Sequence, residues 1–447
     1  MMKILFISLG CDKNLVDTES MLGYLVQKGY EITDDENEAE AVVVNTCCFI
    51  HDAKQESVDE ILAMADLKKE GRLKALIVTG CLAQRYSDEI QEEIPEVDVV
   101  MGTQAIEDIV EALDGVLAGK PTNYLPDISK PLPKLGKRMI TTGGHYAYLK
   151  IAEGCDKHCT YCIIPKVRGK YRSVPMDELL QQARQLVEEV GVKELILVAQ
   201  ETTIYGTDLY GEKKLPELLS KLAEIRGLRW IRILYCYPEE IDDALIEEIA
   251  ANEKVCHYLD IPVQHASDRI LKRMGRRTTK AELEEVINKL RTRIPDICLR
   301  TTLISGFPGE TEEDHEEVMD FVDTMEFERL GVFTYSMEED TPAALMDEQI
   351  EEALKEERRG EIMELQQSIA FEKADAMLGK TVLAMIEGRI AGEDAYIART
   401  YMDAPGVDGY LFINTAKELM TGDFAYVRIT GSNEYDLIGE LEDEFSE

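Results

Sequence analysis

Short apolar runs alternate with helical patterns through the first third of the chain. The runs KILFISLG (Lys3–Gly10), AVVVNT (Ala41–Thr46) and ALIVTG (Ala75–Gly80) contain few polar residues, as in strands buried on both faces of a sheet. Apolar residues recur at helical spacing between them, for example over Leu15–Lys28, and a fourth unit joins VDVVMG to a helix over Ala105–Leu117. This alternation predicts an α/β domain with a doubly wound parallel sheet.

A proline-rich stretch without periodicity follows. Gly119–Arg138 contains four prolines, which indicates a linker. We therefore expect an N-terminal domain at residues 1–120, a linker at 121–140 and a second domain from residue 141.

The central region repeats the strand–helix alternation six times. Its apolar runs are YAYLKIA, ELILVAQ, WIRILYC, HYLDIPVQ, CLRTTLIS and LGVFTYS. Amphipathic helices such as Met176–Val190 and Glu312–Met325 lie between them, and a long helix near Asp347–Leu378 ends the region. Six βα units predict a partial (β/α)6 barrel over residues 141–378, with chemistry on the loops at the carboxyl ends of its strands.

The last region, residues 379–447, has five short strand-like runs separated by turn residues, which predicts a small OB-like β-barrel. From Thr381 onward it carries 14 acidic and 4 basic residues. The whole chain has a formal net charge of −39, which repels phosphate backbones and attracts cationic partners, or serves solubility alone.

The composition excludes several classes of protein. A chain of 447 residues with 45% hydrophobic and 31% charged residues is typical of soluble globular domains. No apolar run approaches the roughly 20 residues of a membrane span, and Ile4–Leu9 is shorter than the core of a signal peptide. We therefore expect a cytoplasmic protein, in which ten cysteines serve metal or redox chemistry rather than a disulfide scaffold.

Three of these cysteines, Cys155, Cys159 and Cys162, form what we call the first thiol group, within EGCDKHCTYCIIP. A structural zinc ion would need a fourth ligand, such as His158. An iron–sulfur cube can instead be held by three cysteines, which leaves one iron open for a substrate or cofactor. Tyr161 would then lie beside whatever binds that iron, unless it only packs the loop.

A second thiol group comes from strand ends. The first three strands of the N-terminal domain run into Cys11, Cys47 and Cys81. The carboxyl ends of parallel strands share one edge of a sheet, so these thiols are expected to converge on a shared metal centre. Cys48 is the alternative to Cys47, which we prefer because it follows its strand directly, as the other two do.

The C-x₃-C-x-aromatic-C motif after the first strand of a βα barrel resembles the radical S-adenosylmethionine (SAM) superfamily. The resemblance implies that the open iron of a [4Fe–4S] cluster chelates SAM and that an electron cleaves it to a 5′-deoxyadenosyl radical. TLISGFPGE is similar to the adenine-contacting segment of the superfamily, which implies contacts from Ile304 and Gly306. Gln200, at the end of the second barrel strand, is a further candidate to reach SAM.

Two thiol groups and a terminal β-barrel together resemble the methylthiotransferases, over essentially the whole chain. The resemblance implies two [4Fe–4S] clusters, a TRAM domain at the C terminus, an electron donor and a sulfur source. It further implies that one SAM methylates sulfur on the second cluster and that another provides the radical that activates a carbon of the substrate. We assign no catalytic acid or base, because the radical removes the hydrogen.

Two branches of that family differ in substrate. NTCCFIHDAKQES, CIIPKVRGKYRS and DIPVQHASDRILKRMGRR resemble the branch that modifies an aspartate β-carbon of small-subunit ribosomal protein twelve. The acidic C-terminal region favours this basic protein over tRNA, whose adenosine the other branch modifies. The basic stretch Lys166–Arg172 is the main argument for tRNA. A metal-cluster scaffold that binds RNA or protein is the non-enzymatic alternative.

Overall fold

The computed structural model describes residues 2–442 and contains three main sheets, one in each region predicted from the sequence. This confirms the α/β fold class. The exact domain boundaries stay predictions, and residues 443–447 of the last predicted domain lie outside the described residues.

The N-terminal sheet is parallel, in the order β2-β1-β3-β4-β5. Its strands are β1 (Lys3–Ser8), β2 (Glu31–Thr33), β3 (Ala41–Thr46), β4 (Ala75–Gly80) and β5 (Val99–Val100), and its helices are α1 (Asp12–Lys28), α2 (His51–Lys69), α3 (Cys81–Arg85), α4 (Ser87–Glu93) and α5 (Ile109–Leu117). β3 and β4 are completely buried, which explains their continuous apolar runs. β2 was not predicted, because it is a three-residue edge strand without an apolar run.

The central sheet follows chain order, β6-β9-β10-β11-β12-β13, and confirms the six predicted βα units. Its strands are β6 (Tyr146–Lys150), β9 (Glu194–Val198), β10 (Trp230–Ile233), β11 (Val255–Asp260), β12 (Cys298–Ser305) and β13 (Arg329–Thr334), and a separate antiparallel pair consists of β7 (Ala152–Glu153) and β8 (Arg172–Ser173). All its neighbouring strands are parallel, and β6 and β13 form its two edges.

Nine helices accompany this sheet in the described chain: α6 (Ile164–Val167), α7 (Met176–Arg184), α8 (Thr207–Tyr210), α9 (Leu215–Ala223), α10 (Asp243–Ala251), α11 (Asp268–Arg273), α12 (Lys280–Arg293), α13 (Glu312–Met325) and α14 (Glu352–Asp375). The single helix predicted over Met176–Val190 is α7 followed by a π-helical segment, Gln185–Val190. It ends at Gly191, whose φ of 96° favours glycine. No helix among residues 2–442 is long and apolar enough to cross a membrane.

The C-terminal strands close into a small barrel in the order β14-β15-β16-β18-β17. They are β14 (Thr381–Arg389), β15 (Ala395–Thr400), β16 (Leu411–Asn414), β17 (Phe424–Asn433) and β18 (Asp436–Leu441). This barrel packs on one face of the central sheet, where Ile196, Trp230 and Tyr258 join its hydrophobic core. The other face of the sheet packs against the helices.

Candidate functional site

The first thiol group lies on the loop between β7 and α6. The amide of Cys155 donates to the carbonyl of Gly169 at 3.2 Å, and the amide of Cys162 donates to that of Cys159 at 3.0 Å. Gly154 precedes the loop with a φ of +81°, and a Cβ there would lie 2.1 Å from the carbonyl oxygen of Lys170. The loop is therefore folded tightly, with all three thiols within a segment of eight residues.

Burial and neighbouring negative charge disfavour the free thiolates of Cys155 and Cys162. Burial raises the pKa of Cys155 to about 11, and the neighbouring Glu201 carboxylate and Cys159 sulfur add to the effect. Burial, followed by the charge of Cys159, also raises the pKa of Cys162, and Cys155 contributes in the same direction. The sulfurs of Cys155 and Cys162 thus lie close enough to charged neighbours to feel them, and a bound cation would be needed to hold these two as thiolates.

Tyr161 and Ile304, both predicted to contact SAM, pack against the same small apolar cluster. The Tyr161 ring lies edge-on to Phe307, with the ring centroids 6.4 Å apart. Gly306 has a φ of +72°, and a Cβ there would lie 2.2 Å from Cγ of Lys355. The structure therefore brings Tyr161 and Ile304 together, with Gly306 next to Phe307 of the same cluster.

Gln200, which was also predicted to reach SAM, is hydrogen-bonded within the protein at both ends of its carboxamide. Its Oε1 accepts a hydrogen bond from the amide of Gly154 at 2.9 Å, and its Nε2 donates to Oε1 of Glu153 at 2.9 Å. Both ends of the carboxamide therefore hold the residues that lead into Cys155.

A polar cluster beside the loop was not recognised in the sequence. Lys157 lies 3.6 Å from Glu201 and 5.0 Å from the ring centroid of Tyr237, whose hydroxyl is 3.8 Å from Sγ of Cys159. Burial raises the pKa of Glu201 to about 7, although the charge of Lys157 opposes the shift. One oxygen of this carboxylate is buried without a hydrogen-bond partner among the described residues. The position of Glu201, three residues after the end of β9, is the signal that could have identified it.

Strand register brings the second thiol group together. β3 and β4 pair Thr46 with Gly80, so Cys47 and Cys81 leave the sheet side by side. Cys11 precedes α1, and Gly10 lies so close to Cys47 that a Cβ on it would be 2.7 Å from the Cys47 Cβ. The convergence expected from the strand ends is therefore present.

The surroundings of Cys47 and Cys48 differ. Burial raises the pKa of Cys47 to about 12, and the charges of Cys81 and Cys11 add to the effect. Cys48 is completely buried in the hydrophobic core of the domain, near Cys81 and Arg85, whereas Cys47 also lies against Gly10, next to Cys11. The geometry therefore favours Cys47 as the partner of Cys11 and Cys81.

One charged residue of the central domain, Arg168, contacts Cys81 and is held by acidic residues of both domains. Nε of Arg168 donates to Sγ of Cys81 at 3.3 Å, and Nη1 donates to Asp17 at 2.7 Å and to Glu153 at 3.2 Å. Lys150 shares an oxygen of Glu153 with Arg168, since its Nζ lies 2.7 Å from Oε2. Arg168 belongs to the basic stretch that the sequence left open for nucleic acid, and its guanidinium is buried instead.

The donor chemistry of both groups fits iron–sulfur clusters. Among residues 2–442, no group of three His, Cys, Asp or Glu side chains is placed to hold a single metal ion. A zinc ion bonds sulfur at about 2.3 Å and would draw its thiolates to within roughly 4 Å of one another. A four-iron cube binds each thiolate through a separate iron, so its ligands stand further apart. Each group provides three thiols, the number that a four-iron cube with one open iron requires, whereas a structural zinc ion takes four ligands.

Family models match three parts of the chain. They are described as uncharacterized protein family UPF0004 over residues 3–102, the radical SAM superfamily over residues 149–322 and the TRAM domain over residues 378–441. The matches fall on the three main sheets.

Among solved structures, the chain resembles a radical SAM methyltransferase, TsrM, from Kitasatospora setae, in a structure with cobalamin and a [4Fe–4S] cluster bound. The TM-score is 0.56 at 14% identity over 77% of each chain. At this identity the similarity shows the fold alone.

Curated relatives match over nearly the full length. A ribosomal protein uS12 methylthiotransferase RimO from Lachnoclostridium phytofermentans is 62% identical, over 99% of this chain and 100% of its own. Proteins of the same name from Clostridioides difficile and Clostridium perfringens are 48% and 51% identical, over 97% or more of every chain. Together with the two thiol groups and the three sheets, these similarities show that the chain belongs to the RimO family of radical SAM methylthiotransferases.

Proposed function

We propose that this chain attaches a methylthio group to the β-carbon of an aspartate in ribosomal protein uS12, using SAM and two [4Fe–4S] clusters. The observation that carries the proposal is the pair of three-cysteine groups, joined by the buried side chains of Arg168 and Glu153. Full-length similarity to uS12 methylthiotransferases supports the choice of substrate.

In this proposal the first thiol group holds the cluster that binds SAM. With SAM bound, this cluster supplies the radical chemistry that an unactivated C–H bond requires. Tyr161, Ile304 and Gly306 form one wall of the SAM pocket, since Tyr161 and Ile304 pack on one apolar cluster and Gly306 lies two residues after Ile304. Gln200 fixes the loop through Gly154 and Glu153.

The second thiol group holds the cluster that carries the donated sulfur. Cys11, Cys47 and Cys81 leave one corner of that cluster free for sulfur. Lys13 and Asp12, which follow Cys11, contact Tyr235 of the central domain and keep the second group turned toward the barrel. A reduced protein of low potential and a sulfide-donating protein are the further partners, and we place the reaction in the cytoplasm, where ribosomal proteins are assembled.

The acidic C-terminal barrel supports a cationic protein substrate. Its 14 acidic and 4 basic residues create a field that attracts a basic ribosomal protein and repels a nucleic acid backbone. Arg168 belongs to the basic stretch that was the main argument for tRNA, but it is buried at the second thiol group. The tRNA-modifying alternative is therefore not favoured.

The test is an anaerobic incubation of the reconstituted protein with SAM and dithionite, with either purified uS12 or tRNA as substrate. Mass spectrometry should show a methylthio group on one aspartate of uS12 and none on tRNA. A variant with Cys11, Cys47 and Cys81 changed to alanine should still form 5′-deoxyadenosine without transferring sulfur. A methylthio group found on tRNA alone would contradict the proposal.

A further inference from the structure

Arg168 connects the two thiol groups. It lies six residues after Cys162, at the end of α6, yet its side chain ends at the second group. Its Nε donates to Sγ of Cys81 at 3.3 Å, and the residue is 1% exposed. The second group is therefore in contact with a buried cation from another domain.

The guanidinium is held from its other edges. Nη1 donates to Asp17 at 2.7 Å and to Glu153 at 3.2 Å, and Nη2 donates to Asn14. Glu153 is itself fixed by Lys150 and by the carboxamide of Gln200. With its partners on two domains, the guanidinium cannot turn away from Cys81 without leaving buried charges unpaired.

A cation at this position favours the reduced state of a bound cluster. Reduction adds negative charge to an iron–sulfur cluster, and hydrogen bonds to its sulfurs are among the factors that set its potential. In a buried site a donor that also carries positive charge stabilises the reduced state more strongly than in water. Asp17 and Glu153 moderate this effect, while the N–H bond remains aimed at the sulfur.

We propose that Arg168 is a positioning residue of the second cluster: its Nε–H bond to the sulfur of Cys81 raises the reduction potential of that cluster. The site of the N-terminal domain is thus completed by a residue of the central domain. The inference rests on the proposed function only in taking Cys11, Cys47 and Cys81 as cluster ligands.

The experiment isolates the second cluster. In the full chain, Cys155, Cys159 and Cys162 are changed to alanine, and this parent is compared with versions that also carry Arg168→Met, Arg168→Lys or Lys166→Met. Lys166 is the matched control, because it is an exposed cation on α6 whose Nζ donates to the carbonyl of Asp340 at 2.7 Å. Iron and sulfide content and the midpoint potential, from a redox titration followed by electron paramagnetic resonance, are the readouts.

We expect Arg168→Met to retain its cluster and to lower the equilibrium constant for one-electron reduction at least tenfold, a shift of about 59 mV. Arg168→Lys should fall between it and the parent, and Lys166→Met should match the parent. If Arg168→Met binds its iron and has the potential of the parent, this result overturns the inference but leaves the ligand assignment intact. If Arg168→Met binds no iron, an unchanged potential in Arg168→Lys overturns it.

Failure of the ligand assignment would look different. A parent that retains no iron with Arg168 intact contradicts the assignment of Cys11, Cys47 and Cys81, and the inference with it. The reciprocal background, in which the second thiol group is changed to alanine, should show the same potential with and without Arg168→Met. A parallel shift there would indicate a general structural effect and overturn the inference.

Discussion

The ammonium group of Lys13 lies 3.3 Å from the ring centroid of Tyr235, across the contact between the N-terminal and central domains. Asp12 completes the group, since it lies 3.1 Å from Lys13 and accepts a hydrogen bond from the Tyr235 hydroxyl at 3.1 Å. Asp12 and Lys13 follow Cys11 directly in the sequence. The packing of the two domains and the position of the Cys11 thiol therefore depend on the same contacts.

Changing Lys13 to methionine should therefore weaken the fold. The substitution leaves the Asp12 carboxylate in a buried place without its cation, which costs about 3 kcal/mol of unfolding free energy. Equilibrium unfolding in urea measures the loss. Lys28→Met is the control, because Lys28 is 55% exposed in its pair with Asp114 and should cost less than about 1 kcal/mol. Equal losses in the two variants would contradict the role given to Lys13.

Cys47 and Cys48 offer a matched pair of substitutions. Cys47→Ala should remove the iron of the second cluster, because it takes away one of three ligands, whereas Cys48→Ala should retain it. Cys48 lies in the hydrophobic core, so its loss should lower stability by about 1 kcal/mol through lost packing. Iron analysis after anaerobic reconstitution distinguishes the two, and loss of iron in Cys48→Ala alone would reverse the assignment.

Gln200→Ala should loosen the first cluster without removing a ligand. The carboxamide holds Gly154 and Glu153 at 2.9 Å each, so the loop that carries Cys155 loses two fixed points. Supporting residues of this kind change metal affinity roughly tenfold or more. Competition of the loaded protein with an iron chelator measures the effect, with Gln181→Ala on α7 as the control. Resistance to the chelator equal to that of the wild type would show that Gln200 does not hold the loop.

The sequence predicted the convergence of thiols better than their surroundings. Parallel strands end at one edge, so Cys47 and Cys81 could be placed together before their register was known. Arg168 could not be placed, because its partners Asp17 and Cys81 belong to a different domain and leave no local pattern. In the sequence the same residue is simply one of several cations in a basic stretch.

The docking of the C-terminal barrel was missed for a similar reason. Glu194 begins β9 within a strand-like run, where one acidic residue carries no particular signal. In the structure it is completely buried between Arg232, at 2.8 Å, and Arg399 of the C-terminal barrel, at 2.7 Å. Only the packing of the two domains shows that this carboxylate joins them.

This buried carboxylate gives a prediction for low pH. Burial opposes ionisation of Glu194, but Arg399 and Arg232 outweigh it and lower its pKa. In the unfolded chain the Glu194 carboxyl group takes up a proton near pH 4.3, whereas in the folded chain it does so only at lower pH. The stabilisation is therefore complete above about pH 4.3. It should be lost as the pH falls through the folded pKa.

Glu194→Gln should cost about 3 kcal/mol at neutral pH and less at pH 3, because its side chain cannot ionise. Urea unfolding at several pH values checks this, with the exposed Glu393→Gln as the control. A difference between Glu194→Gln and the wild type that stays constant from pH 7 to pH 3 would contradict the linkage.

The iron content of three reconstituted proteins tests the central claim most directly. If each thiol group holds one [4Fe–4S] cluster, the wild type should bind about eight iron atoms per chain, and a protein with either group changed to alanine should bind about four. Retention of the full iron content after either triple substitution would contradict the account.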